Sequence, residues 1–400
     1  MKVRKYLNSW ASAAAIASVA FGAASLGANA AEIKIGNIAP YSGPASAYST
    51  ITKTIDAYFK KVNEEGGING NTIKYISYDD GYSPPKAVEQ ARKLVESDEV
   101  LMIFQSLGTP SNSAIRKYMN LKKVPQLFVA TGATMFGDAE NFPWTMGWQP
   151  NYLSEGIIYG RYIASELSDS KIAILYQNDD FGKDLMGGLK KGLGDKASAV
   201  IAEESYEVAE PTVDSQIVKL KASGADVFFI FGTPKFAAQA IKKSSEIGWD
   251  ATSFVANVSN SVGAVLKPAG FDASTGLIST AYLKDMADPQ WADDQGKKDW
   301  EAFMDKYYPD GDKTSSFTSY GYSVSQSLVA VLEAAGDDLS RENIMKQAAS
   351  MKDVTIPLFL PGMSMNTSET DFYPIEQMQL MRFNGERWEL FGDIIDGSTN

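Results

Sequence analysis

Two near-identical junctions constrain this chain more than any other feature. Gly108-Thr109-Pro110 follows the apolar run 101–104, and Gly232-Thr233-Pro234 follows the apolar run 226–231. Each junction precedes an amphipathic stretch, which predicts a buried strand that feeds a helix. Thr109 suits the N-cap and Pro110 the first helical position. Such a helix start is either only capped or an anion site, because its first N–H groups have no intrahelical acceptor.

The same alternation of strand and helix runs through most of the chain. The apolar runs are short and continuous, which is typical of parallel strands covered on both faces. A first series has four predicted strands, at 33–38, 72–77, 101–104 and 127–130, and a second series has strands at 171–176, 198–205, 226–231 and 253–256. The chain then turns helical at about 290–307, 318–335 and 340–350, and it finishes in a hairpin turning at Asn384-Gly385.

This pattern predicts an α/β protein with two Rossmann-like, doubly wound lobes that face each other across a cleft. A chain of 400 residues also exceeds the size of a usual single core.

Residues 1–30 have the features of a signal peptide. Lys2, Arg4 and Lys5 give a positive start, 11–26 is small and apolar, and Ala28-Asn29-Ala30 is a small-x-small cleavage site. The alternative is an uncleaved anchor, for which the apolar part is short. We therefore expect a soluble protein of the periplasm.

The composition excludes several functions. The chain has no cysteine and no histidine, so it contains no disulfide, Ser/His/Asp triad, Cys/His pair or histidine-bearing zinc site. Its net charge of −12 argues against nucleic acid and anionic membranes as partners. No dinucleotide or Walker glycine motif is present. We expect no cofactor, no metal and no catalytic residue.

Two pairs of carboxylates offer an alternative function. Asp79-Asp80 and Asp179-Asp180 follow predicted strands, where an exported hydrolase could use them for acid–base catalysis. Short polar residues also simply end strands and cap helices, and neither pair has an identifiable third partner.

Aromatic residues gather at the predicted strand ends of both series, which favours a mostly apolar cleft with a few polar anchors. They are Tyr41, Tyr48, Phe104, Trp148, Tyr152, Phe181, Phe231 and Phe236.

At this point the sequence resembles a known family. Tyr41-Ser42-Gly43-Pro44, Tyr78-Asp79-Asp80 and above all Asn63-Glu64-Glu65-Gly66-Gly67-Ile68-Asn69-Gly70 are similar to the leucine/isoleucine/valine-binding class of periplasmic substrate-binding proteins. The resemblance covers the mature chain and is closest to members that take aromatic acids. It implies the type I periplasmic binding protein fold, two lobes joined by a three-segment hinge, and delivery of a small carboxylate ligand to an inner-membrane ABC permease. A ligand sensor for a membrane receptor is the alternative role.

With the chain pattern, the resemblance places the boundaries. We expect lobe 1 to comprise 31–150 plus 282–355, and lobe 2 to comprise 151–281 plus 356–400. The crossovers fall near 149–152, 281–284 and 354–360. We expect a monomer.

The resemblance also implies the ligand contacts. Gly108 and Thr109, with the loop Thr131-Gly132-Ala133, would hold a ligand carboxylate. Tyr48, Phe181 and Thr233 match other contact positions of the family. We add Trp148 and Phe231 for the apolar body of the ligand, and Asn257 or Thr233 for a polar substituent.

One departure from the family pattern bears on the ligand. Amino-acid-binding members carry an acidic residue just after the strand at 253–256, whereas this chain reads Val255-Ala256-Asn257-Val258-Ser259. An ammonium buried without a partner is costly by several kcal/mol. The sequence therefore predicts a carboxylate with an apolar or aromatic body. A branched-chain or other amino acid is the alternative, with another acid such as Asp179 as the partner.

Overall fold

Five parallel strands form the first sheet. The computed structural model describes residues 31–397, so the predicted signal peptide at 1–30 lies outside the described residues. The strand order is β2-β1-β3-β4-β5, and Ile35 of β1 lies opposite both Tyr75 of β2 and Met102 of β3. The strands are β1 (Glu32–Ala39), β2 (Thr72–Asp79), β3 (Met102–Phe104), β4 (Gln126–Val129) and β5 (Thr145–Gly147).

Seven strands form the second sheet, in the order β12-β11-β10-β9-β8-β6-β7. Strands β6 to β10 run parallel, and the terminal hairpin adds β11 and β12 antiparallel at one edge. These strands are β6 (Ile172–Gln177), β7 (Val200–Tyr206), β8 (Val227–Phe231), β9 (Thr252–Val255), β10 (Ile278–Ala281), β11 (Gln377–Phe383) and β12 (Trp388–Asp396).

Helices cover both sheets, as parallel strands require. They are α1 (Ser49–Glu64), α2 (Pro84–Arg92), α3 (Thr109–Lys122), α4 (Tyr152–Glu166), α5 (Asp180–Leu193), α6 (Asp214–Ala222), α7 (Pro234–Glu246), α8 (Lys267–Ala269), α9 (Phe271–Ser274), α10 (Gln295–Tyr307), α11 (Ser316–Ala335) and α12 (Arg341–Ala348). Within the described range, no helix is both long and apolar enough to cross a bilayer.

Two strands escape the sequence analysis. β5 has three residues and β10 has four, and each contains polar residues such as Thr145 and Thr280. Both are too short to show a recognisable apolar run in the sequence. They are strands because β5 pairs with β4, and β10 pairs with β9 and β11. The prediction that the first series ends after four strands is therefore wrong, and so is the prediction that 253–256 is the last strand of the second series.

Three chain segments between the two sheets lie side by side. The first is 148–151, between β5 and α4. The other two pair with each other: Lys284 N–H donates to the Leu358 carbonyl at 2.8 Å, and Leu360 N–H donates to the Tyr282 carbonyl at 3.0 Å. These segments fall where the crossovers are expected, while the lobe boundaries drawn from them stay a prediction.

Helices α4 and α5 approach each other so closely that only glycine fits at the contact. A Cβ atom at Gly188 of α5 would collide with the Leu153 carbonyl oxygen of α4. A Cβ atom at Gly156 of α4 would collide in the same way with the Leu185 carbonyl oxygen. Since backbone atoms cannot move aside like a flexible side chain, this contact fixes the spacing of the two helices.

We expect Gly188→Ala to destabilise the protein by about 1–3 kcal/mol, the usual cost of overpacking. Gly187→Ala is the matched control, because the nearest atom to its new Cβ would be Leu153 Cδ1 at 4.0 Å. That variant should gain about 0.5–1 kcal/mol from the better helix propensity of alanine. Urea unfolding of both variants measures the difference, and equal stabilities would contradict the close contact.

Candidate functional site

A cleft opens between the ends of the two sheets. Its empty space is about 930 Å³, open solvent at its mouth included, and residues from both sheets line it. The Tyr48 hydroxyl, ahead of α1, donates to the Val258 carbonyl beyond β9 at 3.1 Å. A hydrogen bond therefore joins the two walls of the cleft.

Six of the predicted site residues line this cavity: Tyr48, Gly108, Thr109, Phe181, Thr233 and Asn257. The other five, Thr131, Gly132, Ala133, Trp148 and Phe231, are not among its lining residues.

The first junction is built differently from its prediction. Gly108, not Thr109, is the N-cap of α3, and Thr109 is the first helical residue. Gly108 has φ 97° and faces the Tyr82 ring so closely that a Cβ would collide with it, so glycine is required there. The Thr109 hydroxyl makes no cap bond and instead lies 2.6 Å from the Thr131 hydroxyl. The N-cap assignment of Thr109 is wrong, but Gly108 and Thr109 both line the cavity, at a helix start whose first N–H groups have no intrahelical acceptor.

The loop at 131–133 lies one layer behind Thr109. The Thr131 hydroxyl accepts the Ala133 N–H at 3.1 Å, and the Gly132 carbonyl accepts the Tyr152 N–H at 2.8 Å. The loop thus orients the Thr109 hydroxyl and the first residue of α4. In this conformation it supports the cavity wall from behind.

Trp148 packs against the crossover segments, not the cavity. Its indole N–H donates to Ser327 Oγ at 2.9 Å, and its ring lies 4.8 Å from that of Tyr320 between centroids. The rings of Tyr282 and Phe359, from the other two crossovers, lie 6.0 and 6.2 Å away. The side chain is fully buried, because all three crossovers converge on it.

Phe231 is also placed in the core. It is the last residue of β8, fully buried, and its ring packs 5.4 Å from that of Phe229. Its position at a strand end was read correctly, but its ring lies in the core of the second sheet. Trp148 and Phe231 thus support the cavity wall from behind in this structure, and their role as ligand contacts stays a prediction.

Eight aromatic residues are among those that line the cavity. Tyr48 packs against Phe317 at 5.0 Å between ring centroids, and Tyr152 packs against Phe181 at 4.9 Å. Six lining aromatics were not among the predicted site residues: Tyr82, Tyr152, Tyr282, Phe317, Tyr320 and Trp388. Tyr82 follows β2 and Tyr152 begins α4, so the strand-end pattern can find both. The other four come from the end of a strand too short to predict, a helix start and a hairpin, which carry no such signal.

The second junction is held by a hydroxyl and amide network. Thr233 is the N-cap of α7, but its side chain makes no cap bond. Its N–H donates to the Tyr206 hydroxyl at 3.0 Å, and its hydroxyl donates to Gln177 Oε1 at 3.3 Å. The Tyr206 hydroxyl lies 3.1 Å from the same Gln177 oxygen. Thr233 is thereby fixed at the cavity wall opposite Thr109.

The paired aspartates serve their own loops. Asp79 accepts from Ser42 Oγ at 2.6 Å and Gly81 N–H at 2.9 Å, and Asp80 accepts from Ser111 Oγ at 2.6 Å. Asp179 caps α5 through Gly182 N–H at 3.3 Å, and burial raises its pKa to about 6. None of these three carboxylates lines the cavity, nor does Asp180. Within 31–397, no cluster of acidic side chains has the make-up of a metal site.

Two charged residues do line the cavity, Lys284 and Asp285. The Lys284 ammonium lies 2.6 Å from Asp294 Oδ2 and donates to the Pro357 carbonyl at 2.8 Å, so its charge is already balanced. Asp285 Oδ2 is shielded from solvent and has no hydrogen-bond partner among the described residues, and burial raises the pKa of this carboxyl. Lys284 is therefore not a free cation for a ligand carboxylate.

A buried carboxylate stands directly behind the wall. Glu155 of α4 is fully buried and accepts from the Asn257 N–H at 2.7 Å and from Asn257 Nδ2 at 2.8 Å. The hydroxyls of Tyr159 and Thr280 lie 2.8 and 3.3 Å from its Oε1. Burial outweighs these bonds and raises the Glu155 pKa to about 7. Sequence reasoning missed this residue, which lies in the first turn of a helix, where an acidic side chain is common.

Because the Glu155 pKa rises from 4.5 to about 7 on folding, the native protein holds this proton where the unfolded chain has released it. Its contribution to stability is present below about pH 4.5 and is lost as the pH rises through about 7. We therefore expect Glu155→Gln to gain stability relative to the wild type between about pH 5 and pH 8, measured by urea unfolding. Glu166→Gln, at the exposed end of α4, is the control. Its unfolding free energy relative to the wild type should not change with pH over this range. A pH-independent difference in unfolding free energy between Glu155→Gln and the wild type would contradict the raised pKa.

Comparisons with known proteins place the chain. It matches the family described as "Periplasmic binding protein" over residues 32–387. A relative, the Leu/Ile/Val-binding protein homolog 1 of Brucella abortus (strain 2308), is 29% identical over 365 residues, which is 88% of this chain and 91% of the relative.

Solved structures share the fold. A branched chain amino acid ABC transporter protein from Thermus thermophilus, with bound valine, superimposes with a TM-score of 0.82 at 14% identity and covers 92% of this chain and 97% of its own. An ABC transporter solute-binding protein from R. palustris, in complex with benzoate, gives a TM-score of 0.75 at 19% identity, covering 90% and 96%. The type I periplasmic binding protein fold is confirmed, and this chain belongs to the periplasmic binding protein family, among relatives of the Leu/Ile/Val-binding class.

Proposed function

We propose that this protein captures a small carboxylate with an apolar body, most favourably an aromatic one, and delivers it to an inner-membrane ABC permease. The observation that carries the proposal is the start of α3: Gly108 and Thr109 line a cavity that eight aromatic residues also line, and the first N–H groups of a helix have no intrahelical acceptor. An anion held by backbone N–H groups needs no lysine or arginine, and the lining Lys284 is already paired with Asp294.

The body of the ligand would lie among the rings of Tyr48, Tyr82, Tyr152 and Phe181. Stacked and edge-on aromatic contacts favour a flat apolar group over a flexible aliphatic one. The same fold takes valine in one solved structure and benzoate in another, so fold alone does not select between them. The alternative ligand is a branched-chain or other amino acid, and the alternative role is a sensor for a membrane receptor.

The proposal includes export by cleavage of residues 1–30, a monomer in the periplasm and hinge closure around the ligand. Lobes 31–150 plus 282–355 and 151–281 plus 356–400 would rotate about the crossovers at Trp148. The Tyr48–Val258 bond across the cleft supports a closed form that traps the ligand.

A fluorescence titration tests the ligand class. Trp388 lines the cavity, so its emission should change when benzoate, phenylacetate or 3-phenylpropionate binds the purified protein. Leucine, isoleucine and valine are titrated in parallel. We expect saturable binding of at least one aromatic acid; tight leucine binding without a response to any aromatic acid would contradict the ligand class.

Thr109→Ala tests the anion site. Loss of one hydrogen bond should weaken carboxylate binding by about 1 kcal/mol, roughly fivefold in affinity. Thr109→Ser is the matched control, since it keeps the hydroxyl and loses only a methyl group, and its affinity should stay within about twofold of the wild type. An unchanged affinity of Thr109→Ala, measured by calorimetry, would return Thr109 to a packing role.

A further inference from the structure

Glu155 bonds two residues of the cavity wall, although it does not line the cavity itself. Asn257 and Thr280 both line the cavity, and both donate to this buried carboxylate. Asn257 follows β9 and Thr280 lies near the end of β10. A single side chain of α4 therefore links the ends of two neighbouring strands. Asn257 belongs to the segment 255–259, in which this chain lacks the acidic residue of the family's amino-acid-binding members.

The chemistry of a carboxylate fixes which way the Asn257 amide points. An ionised carboxylate only accepts hydrogen bonds, so the NH₂ end of the amide must face Glu155. Asn257 Nδ2 lies 2.8 Å from Glu155 Oε2 and 3.9 Å from Met378 Sδ. These two contacts use both hydrogens of the amide nitrogen. Asn257 Oδ1 is left without a donor among the described residues, on a side chain that lines the cavity.

We infer that Glu155 positions Asn257 as a fixed hydrogen-bond acceptor in the cavity, and that the ligand is a carboxylate whose body carries a hydrogen-bond donor, an amine or a hydroxyl, and not a keto group. This inference rests on the proposed function, because it concerns the ligand of the same cavity. Discrimination follows because a keto oxygen would meet Asn257 Oδ1 with no hydrogen between two acceptors.

Protonation of Glu155 offers a natural reversal of this preference. Oε2 has Asn257 Nδ2 as its described partner, and a proton on Oε2 would turn it into a donor. The amide would then turn its Oδ1 towards Glu155 and its Nδ2 towards the cavity. The other titratable groups facing this region are Tyr152 and Tyr159 on α4, Tyr282 beyond β10, and Asp179 ahead of α5. Burial raises the pKa of all four.

Matched ligands on one carbon skeleton test the inference. The aromatic series is phenylalanine, 3-phenyllactate, phenylpyruvate and 3-phenylpropionate, and the aliphatic series is leucine, 2-hydroxy-4-methylpentanoate, 4-methyl-2-oxopentanoate and 4-methylpentanoate. A ring-substituted pair, 4-hydroxybenzoate and 4-formylbenzoate, covers a donor remote from the carboxylate. Calorimetry at pH 8 should give at least tenfold tighter binding of a donor-bearing acid than of its keto or formyl counterpart. The comparison of the amine with the hydroxyl acid identifies the donor.

Glu155→Gln separates positioning from structure. Glutamine keeps the shape but both donates and accepts, so the Asn257 amide is free to turn. We expect the donor-to-keto ratio to fall below threefold, while affinity for the donor-free acid changes less than threefold. Asn257→Ala should reduce the donor-to-keto affinity ratio in the same way. This variant replaces Glu155→Gln in the test if Glu155→Gln does not fold.

The pH profile supplies a readout that a purely structural role would not move. In the wild type, the donor preference should decline as the pH falls from 8 to 5, and Glu155→Gln should show a flat profile. Glu376→Gln is the control, since burial also raises the Glu376 pKa to about 7, but the charged groups that act on it, Asp371 and Asp396, do not line the cavity. Its profile should match the wild type.

Three results would overturn the inference and leave the proposed function standing: a keto acid that binds as tightly as its donor-bearing partner, a ratio that Glu155→Gln does not change, or a pH profile that survives in Glu155→Gln. Failure of every acid in the panel to bind the wild-type protein would overturn the proposed function, and the inference with it.

Discussion

The parallel arrangement of the strands is the constraint on which the rest of this structure depends. Parallel neighbours cannot be joined by a hairpin, so the chain must return over the sheet in a helix after each strand. Every parallel strand of a sheet then ends at the same edge, and every following helix begins there. The two junctions at Gly108-Thr109-Pro110 and Gly232-Thr233-Pro234 come to face one cavity because each occupies this edge of its own sheet.

The local sequence pattern therefore predicts which residues lie at the edge of a sheet that borders the cavity. It does not predict whether their side chains line the cavity or pack into the core. The strand-end pattern predicts Tyr48, Thr109 and Phe181, because a strand end or helix start can be recognised from its immediate neighbours. Asn257 follows instead from the comparison with the family pattern. Whether a strand-end ring faces the cleft or the core depends on distant partners. Trp148 is drawn inwards by crossover residues more than a hundred positions away, and Phe231 by the aromatic core of its sheet.

The part of the wall contributed by α11 and the terminal hairpin was beyond local inference. Phe317 and Tyr320 begin a helix preceded by no strand, and Trp388 follows a turn at the far end of the chain. Their place at the cavity is decided by the return of the chain through the crossovers. Likewise, β5 and β10 exist as strands because neighbouring strands supply their hydrogen bonds, not because of their own composition.

A chain without histidine must place any response to near-neutral pH elsewhere. Among the carboxyls that burial moves towards that range, Glu155 and Asp179 sit just behind residues of the cavity wall. Desolvation thus supplies what an imidazole supplies in other proteins.

The glycine contact between α4 and α5 has a mechanical consequence. Tyr152 begins α4 and Phe181 lies in the first turn of α5, and these rings touch at the cavity. Since the backbones behind them are in direct contact, the two helices can only travel together, as a single rigid plate. The plate carries Glu155 with it, so under the proposed hinge closure this side of the cavity would keep a constant shape. Adjustment to ligands of different length would then fall to the opposite wall and to the angle between the sheets.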